Sequence, residues 1–293
     1  PARRAEPARE MLEHPFPPDA GDGVFAGRRK RLVLGGAAAA DAREGVHALG
    51  LRRPRRGSAE RAIQEAAGGQ GAPLVPAFHR DMFGRDQIST GVLNIGGISN
   101  LSVLAADGST TGFDCGPGNA LMDHWMHLHH GKNYDANGEW AAQGHVMPSL
   151  LQSLLAEPFL HQTPPKSTGR DLFNPTWLQQ HLRAEFQAVD VQATLCEFTA
   201  LAIAQDLKRH APEAKQLWVC GGGALNGHLM SRLQAHAPGV QVASTEAHGL
   251  PPLQVEAAAF AWLAAKAMKR ETASLKSVTG ARGARVLGAI YPR

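Results

Sequence analysis

Val92-Leu93-Asn94-Ile95-Gly96-Gly97-Ile98-Ser99-Asn100-Leu101-Ser102-Val103-Leu104 decides how this chain reads. Two apolar runs of strand character flank a Gly-Gly pair, and Asp107-Gly108 turns the chain again into a third run at 110–113. Asp-Gly between apolar runs is a strong hairpin signal. The third run ends in Asp114-Cys115-Gly116-Pro117-Gly118-Asn119, and a helical pattern follows over 119–130. Gly96 and Gly97 leave the backbone bare, so its N–H groups can approach a phosphate closely. Asp114, delivered at the end of the third strand, faces the same place. A glycine hairpin beside a fixed carboxylate points to phosphoryl transfer.

Outward from this hairpin, order begins near residue 66. A Gly/Pro-rich loop occupies 68–76 and a polar loop with Trp140 occupies 135–144. Short helices are expected at 149–155 and 177–186. Asp190 is expected to N-cap a longer helix with Val191, Leu195, Phe198, Ala202 and Leu207 on one face. Leu217-Trp218-Val219-Cys220 reads as a buried strand. Gly221-Gly222-Gly223 then leads into a helix with Leu225, Leu229 and Leu233 on one face. A strand at 240–244 and an alanine-rich helix at 256–268 follow. Helices alternating with strands after a meander indicate an α/β domain.

Length and composition agree with that reading. The 293 residues are 43% apolar, enough for a real core. Cys115, Cys196 and Cys220 have no CxxC spacing, which suggests a reducing, cytoplasmic setting without a disulfide framework or zinc site. The richest apolar run, 257–265, is too short to span a membrane. The formal charge is +4, and residues 1–65 carry 13 Lys/Arg against 9 Asp/Glu, so the whole surplus lies there. A basic arm for nucleic acid or acidic lipid is one reading. A disordered or out-of-frame segment is the better one, because Arg28-Arg29-Lys30-Arg31 and Arg52-Arg53-Pro54-Arg55-Arg56 sit among Ala, Gly and Pro.

Each candidate site residue has an ordinary alternative. Gly221-Gly222-Gly223 could admit a nucleotide at a helix N-terminus or be a tight turn; it fits neither GxGxxG nor a P-loop. Asp114 could act as a base or only cap the helix after it. Glu256 could be functional or a favourable acid in a first turn. Lys166 and Arg170 could meet a phosphate or sugar carboxylate, or lie in a solvated loop. His124, His127, His129 and His130 suit an exposed helix C-terminus better than a metal. His79-Arg80-Asp81 mimics a protein-kinase catalytic loop but lacks the motif's other parts.

Taken together, these motifs resemble the anhydro-N-acetylmuramic acid kinases. The matching segments run collinearly: Gly68-Gly69-Gln70-Gly71-Ala72-Pro73-Leu74-Val75-Pro76, Asn94-Ile95-Gly96-Gly97-Ile98, Gly112-Phe113-Asp114-Cys115-Gly116-Pro117-Gly118-Asn119, Pro165-Lys166-Ser167-Thr168-Gly169-Arg170, Cys220-Gly221-Gly222-Gly223-Ala224, Val255-Glu256-Ala257-Ala258-Ala259-Phe260-Ala261-Trp262-Leu263 and Thr279-Gly280-Ala281. The resemblance implies an α/β, two-lobed fold of the actin/hexokinase/Hsp70 (ribonuclease H-like) type, with ATP between the lobes. Gly96 and Gly97 would form a phosphate loop, and Gly221, Gly222 and Gly223 the nucleoside-side loop. Asp114 would be the general base that activates water against the anhydro sugar. Glu256, Lys166 and Arg170 would bind substrate, and Mg2+ would accompany ATP. The product would be N-acetylmuramic acid 6-phosphate, in peptidoglycan recycling.

Two departures stand out. Cys115 replaces the usual Thr, a small change. The Gly-Thr-Ser…Asp-Gly hairpin with which family members begin has no match in residues 1–65. The first lobe is therefore expected to be largely missing or scrambled, with 66–293 holding mainly the second lobe. An inactive remnant with weak ligand binding or association is the competing reading. The expected partner is a small sugar, not nucleic acid or membrane, and a homodimer is compatible. A sugar-responsive regulator would need a helix-turn-helix that residues 1–65 do not show.

Overall fold

The structure, a computed structural model, describes residues 30–33, 75–85, 87–279 and 282–292. The expected irregular segment 1–65 and the loop at 68–74 lie outside these, apart from a strand at Lys30–Val33. The chain divides into two units, Phe83–Val255 and the remainder.

In the unit Phe83–Val255, strands β1 (Thr90–Ile95), β2 (Ile98–Leu104) and β3 (Thr110–Pro117) form the expected antiparallel meander. Its second turn closes as Asp-Gly turns do: the Ser109 N–H donates to Asp107 Oδ1 at 2.8 Å, and Gly108 takes φ +87°. Helices α1 (Ala120–His130), α2 (Pro148–Leu155), α3 (Pro175–Gln179) and α4 (Ala188–His210) follow. Then come β4 (Gln216–Cys220), α5 (Gly227–His236) and β5 (Gln241–Ser244). The sheet order is β3-β2-β1-β4-β5, with β4 parallel to β1 and β5 parallel to β4. The carboxyl ends of β1, β3, β4 and β5 therefore share one edge, where open α/β sheets bind ligands.

The core lies between the sheet and α4, whose Val191, Leu195, Phe198, Ala202 and Leu207 are all buried as their spacing requires. Local details differ from expectation. α4 begins at Ala188 with Gln187 as N-cap, and Asp190 in the first turn instead accepts the His145 N–H at 2.7 Å. α3 ends at Gln179; beyond it only i→i+3 turns wind on, through the N–H groups of His181 and Leu182. Leu225 is 56% exposed in a 3-10 turn, while Leu229 and Leu233 are fully buried on α5.

A charge cluster around the buried Glu197 joins α4 to α5. Glu197 accepts two bonds from Arg232, at 2.7 and 2.9 Å, and faces His236 Nε2 at 2.7 Å. Burial alone would push the Glu197 carboxyl up, but the hydrogen bonds from Arg232 and His236 outweigh it and hold it below the ordinary range. A depressed folded-state value means stability that is present above the unfolded value and lost as pH falls through the folded one. Glu197→Gln is expected to cost about 1–3 kcal/mol near neutral pH. In urea unfolding, that difference from the parent should shrink once pH drops below the unfolded glutamate value of about 4.3.

The other unit holds all but the last residue of helix Pro76–Phe83 and all but the first of helix Val255–Met268, and within it the Trp262 Nε1–H donates to Asp81 Oδ2 at 2.7 Å. Asp81 thus ties the two helices together. Burial lowers the buried His79 to about 3. The strand Lys30–Val33 pairs antiparallel with Ala289–Pro292. Among the described residues no helix is long and apolar enough to cross a membrane.

Candidate active site

The glycine turn after β1 is stitched to the helix that follows β3. The Asn119 N–H donates to the Gly96 carbonyl at 2.8 Å, and the N–H groups of Gly118 and Ala120 donate to that of Gly97 at 3.0 and 3.2 Å. The amides that lead into α1, from Gly118 to its first residue Ala120, are thus spent on the turn and hold its shape. On its other side lies Arg170. A methyl at Gly97 would sit 2.7 Å from Arg170 Nη2 and 2.8 Å from Nε. The Nε–Nη2 edge of the guanidinium comes up to the bare backbone, and only glycine allows that approach.

The second glycine turn leaves β4, the parallel neighbour of β1, where Asn94 pairs with Cys220. It enters a 3-10 turn, Gly222–Leu225, rather than α5 directly; Asn226 caps α5 by accepting the Leu229 N–H at 3.0 Å. Gly221 and Gly223 are pressed against Asn94 and Ile95 at the end of β1. Gly222 is open: a methyl there would meet Asn119 Nδ2 at 3.4 Å and nothing closer. Both turns therefore converge on Asn119.

Beside Gly222 is a cleft of about 330 Å³, with Asn119 and Met122 in its lining. Tyr134, Leu225 and Leu253 line it too, although they are 64%, 56% and 63% exposed. Tyr134 and Leu253 were not singled out from sequence, and Leu225 was expected on the buried face of a helix; its place two residues behind the triple glycine was the signal for a site role. A second cleft, about 440 Å³, is lined by Arg170, His124, His127 and Asn174. Asp123 borders both clefts, and burial pushes its carboxyl up to about 6 against the opposing pull of Arg170. His129 and His130 pack against Trp125 and Trp140 at 4.2 and 4.3 Å. Among the described residues no three His, Cys, Asp or Glu side chains converge on a metal position.

Asp114 sits inside β3, five residues before the α1 N-cap Asn119, so it caps no helix. Opposite it the register slips: Ser99 pairs with Gly116 and Asn100 with Asp114, which leaves Cys115 as an extra residue. Such a bulge re-aims the side chains beside it. Asp114 Oδ2 accepts the Ser167 hydroxyl at 2.8 Å and the Thr168 N–H at 2.9 Å, while its own N–H donates to the Lys166 carbonyl at 3.1 Å.

Lys166 corrects the expectation from sequence. Its ammonium is not offered to a ligand: it is fully buried, 2.7 Å from the equally buried Asp206 Oδ2 on α4. An ammonium taken from water needs a partner, and the Asp206 carboxylate is the one within reach. Burial pushes the Asp206 carboxyl up, and Lys166 opposes this. Arg170, by contrast, stands at the glycine turn. Glu256 is exposed in the first turn of Val255–Met268, in the other unit.

The mixed sheet, with two glycine turns and a braced carboxylate at its carboxyl edge, defines an α/β fold with its candidate site at that edge. Relatives sharpen the class. The sequence pattern described as anhydro-N-acetylmuramic acid kinase matches residues 58–293. The chain belongs to that family. It is 63% identical over 234 residues to the anhydro-N-acetylmuramic acid kinase of Variovorax paradoxus, covering 78% of this chain and 62% of that one. It is 57% identical over 235 residues to the enzyme of the same name from Cupriavidus metallidurans, with the same coverage. The chain thus spans about 62% of the length of these curated relatives. Among solved structures, an activator of 2-hydroxyisocaproyl-CoA dehydratase from Clostridium difficile with bound ADPNP aligns at TM-score 0.41 and 14% identity, over 66% of this chain and 67% of that one.

Proposed function

We propose that the protein is a carbohydrate kinase that phosphorylates 1,6-anhydro-N-acetylmuramic acid with ATP while opening its anhydro bridge. The carrying observation is Asp114, braced by Ser167 and Thr168 on the sheet edge that also bears both glycine turns. Asp114 takes a proton from water, and the oxygen of that water bonds to the anomeric carbon. The bond from that carbon to the bridging oxygen breaks, its electron pair passing to the oxygen. That oxygen, now held only at C6, accepts the γ-phosphoryl group, and ADP leaves. Sugar, water and ATP become N-acetylmuramic acid 6-phosphate, ADP and a proton.

The bare backbone at Gly96 and Gly222 suits the phosphates, and at Gly97 the Arg170 guanidinium comes up to the main chain, where it would add its charge to the same phosphate site. Tyr134, Leu225 and Leu253 would flank the nucleoside. Mg2+ bound with the nucleotide would neutralise phosphate charge. Arg170 would hold a phosphate oxygen or the sugar carboxylate, and Glu256 the sugar. Three buried cysteines suit the reducing cytoplasm, where we place the reaction in peptidoglycan recycling.

Incubation of the purified protein with ATP, Mg2+ and the anhydro sugar should give a 6-phosphate resonance in phosphorus NMR in step with ADP. ADP without that resonance, or neither, would refute the proposal. Gly97→Ala tests the turn. The clashing atoms belong to a mobile side chain, so stability should move by less than about 0.5 kcal/mol. Displacing Arg170 should lower turnover about 10²-fold, the scale set by a misplacement of about 1 Å. Urea unfolding and steady-state kinetics on the same preparation check both.

A further inference from the structure

The buried Lys166–Asp206 pair has no part in the chemistry proposed above, yet it adjoins the residue that does. The segment 166–168 supplies the contacts that brace Asp114: the Lys166 carbonyl, the Ser167 hydroxyl and the Thr168 N–H. The same residue, Lys166, sends its side chain inward to Asp206 at 2.7 Å, with its ammonium over the Phe159 ring at 5.0 Å and the Phe113 ring at 5.9 Å. Other groups face Asp206 as well. Arg209 Nη1 and His210 Nε2 stand 3.8 Å from its second oxygen, and the thiol of Cys115, next to Asp114 in β3, lies beside it.

A buried ion pair is a poor device for stability, because apolar residues of the same volume often do as well or better. What the pair supplies is direction: one charge on α4 fixes one point of a loop that has no regular structure of its own. We infer that Lys166, clamped to Asp206, is a positioning residue that holds the 166–168 segment against the carboxylate of Asp114. The inference rests on the proposed role of Asp114, but the exchange measurement below does not.

The double variant K166M/D206L keeps the branching of both side chains and removes both charges, and D206N is its smaller counterpart. Amide hydrogen exchange in the full chain is read at Thr168, with Val219 in β4 as reference. Exchange at Thr168 should rise at least about tenfold while Val219 keeps its protection, the pattern of local rather than global opening. Steady-state kinetics should show kcat down at least about tenfold with KM within threefold, and a moved acid limb of the pH profile. A role in stability alone would shift both amides together and leave the limb in place.

Thr168 exchange within twofold of the parent in a folded variant overturns the inference. If the double variant loses protection at Val219 too, D206N decides by the same comparison; should D206N also open globally, the pair is a stability element and the inference fails. Asp114→Asn separates the two readings. If that variant keeps its activity, Asp114 is not the base whatever the exchange shows, and the exchange data still report whether the pair anchors the segment.

Discussion

Asp114→Asn should lower turnover by about 10²–10⁴-fold, the usual contribution of a positioned general base, while affinity for the anhydro sugar stays within about threefold. The structure makes this substitution clean. Asp114 accepts two bonds at one oxygen, from the Ser167 hydroxyl and the Thr168 N–H. An Asn carbonyl oxygen can accept both, so these two contacts hold the side chain in place while its basicity is lost. The β3 bulge at Cys115 sets its direction through the backbone and is untouched. Equilibrium sugar binding by calorimetry and single-turnover formation of the 6-phosphate separate affinity from chemistry. A variant within a fewfold of the parent would move the base elsewhere.

Much of this was legible from residues. The meander followed from alternating apolar runs around Gly96-Gly97 and Asp107-Gly108, because turn chemistry and a period of two are local properties. The long α4 was legible because its buried face recurs at helical spacing over 23 residues. What escaped depends on tertiary contacts. The bulge that aims Asp114 is one unpaired residue, and no local signal marks it except Gly116, which sits at φ +146°. Lys166 and Arg170 lie four residues apart and looked alike in sequence, yet one is buried against Asp206 and the other lies across Gly97. Only the packing of α4 beneath that loop separates them. Asp190 looked like a cap because its residue type favours one, but the helix starts two residues earlier and its carboxylate serves His145 instead. Leu225 kept the spacing of a core face and fell outside it because a 3-10 turn precedes α5.

Gly221→Ala should be the most destabilising single-methyl change in the site, costing about 3–5 kcal/mol, which is at the upper end for point substitutions. Two costs add. Gly221 has φ +80° and ψ −179°, a region that is essentially glycine's own and costs other residues about 1–3 kcal/mol. The new methyl would also stand 2.6 Å from the Ile95 carbonyl oxygen and 2.5 Å from Asn94 Oδ1. The first of these is backbone of the adjacent strand and cannot rotate away, so β1 and β4 must part where they carry the two turns. The stiffer unfolded chain of the variant returns only about 0.4–1 kcal/mol. Gly222→Ala is the matched control. Its methyl would meet only Asn119 Nδ2, at 3.4 Å, and would project toward the 330 Å³ cleft. Stability should then change by less than about 1 kcal/mol, while affinity for a non-hydrolysable ATP analogue falls at least about tenfold, or roughly 1.4 kcal/mol. Urea unfolding and calorimetric titration of both variants read the two effects independently. A Gly221→Ala protein as stable as the parent would show that the turn is not built as described. A Gly222→Ala protein that binds the analogue undiminished would take the nucleotide away from this cleft.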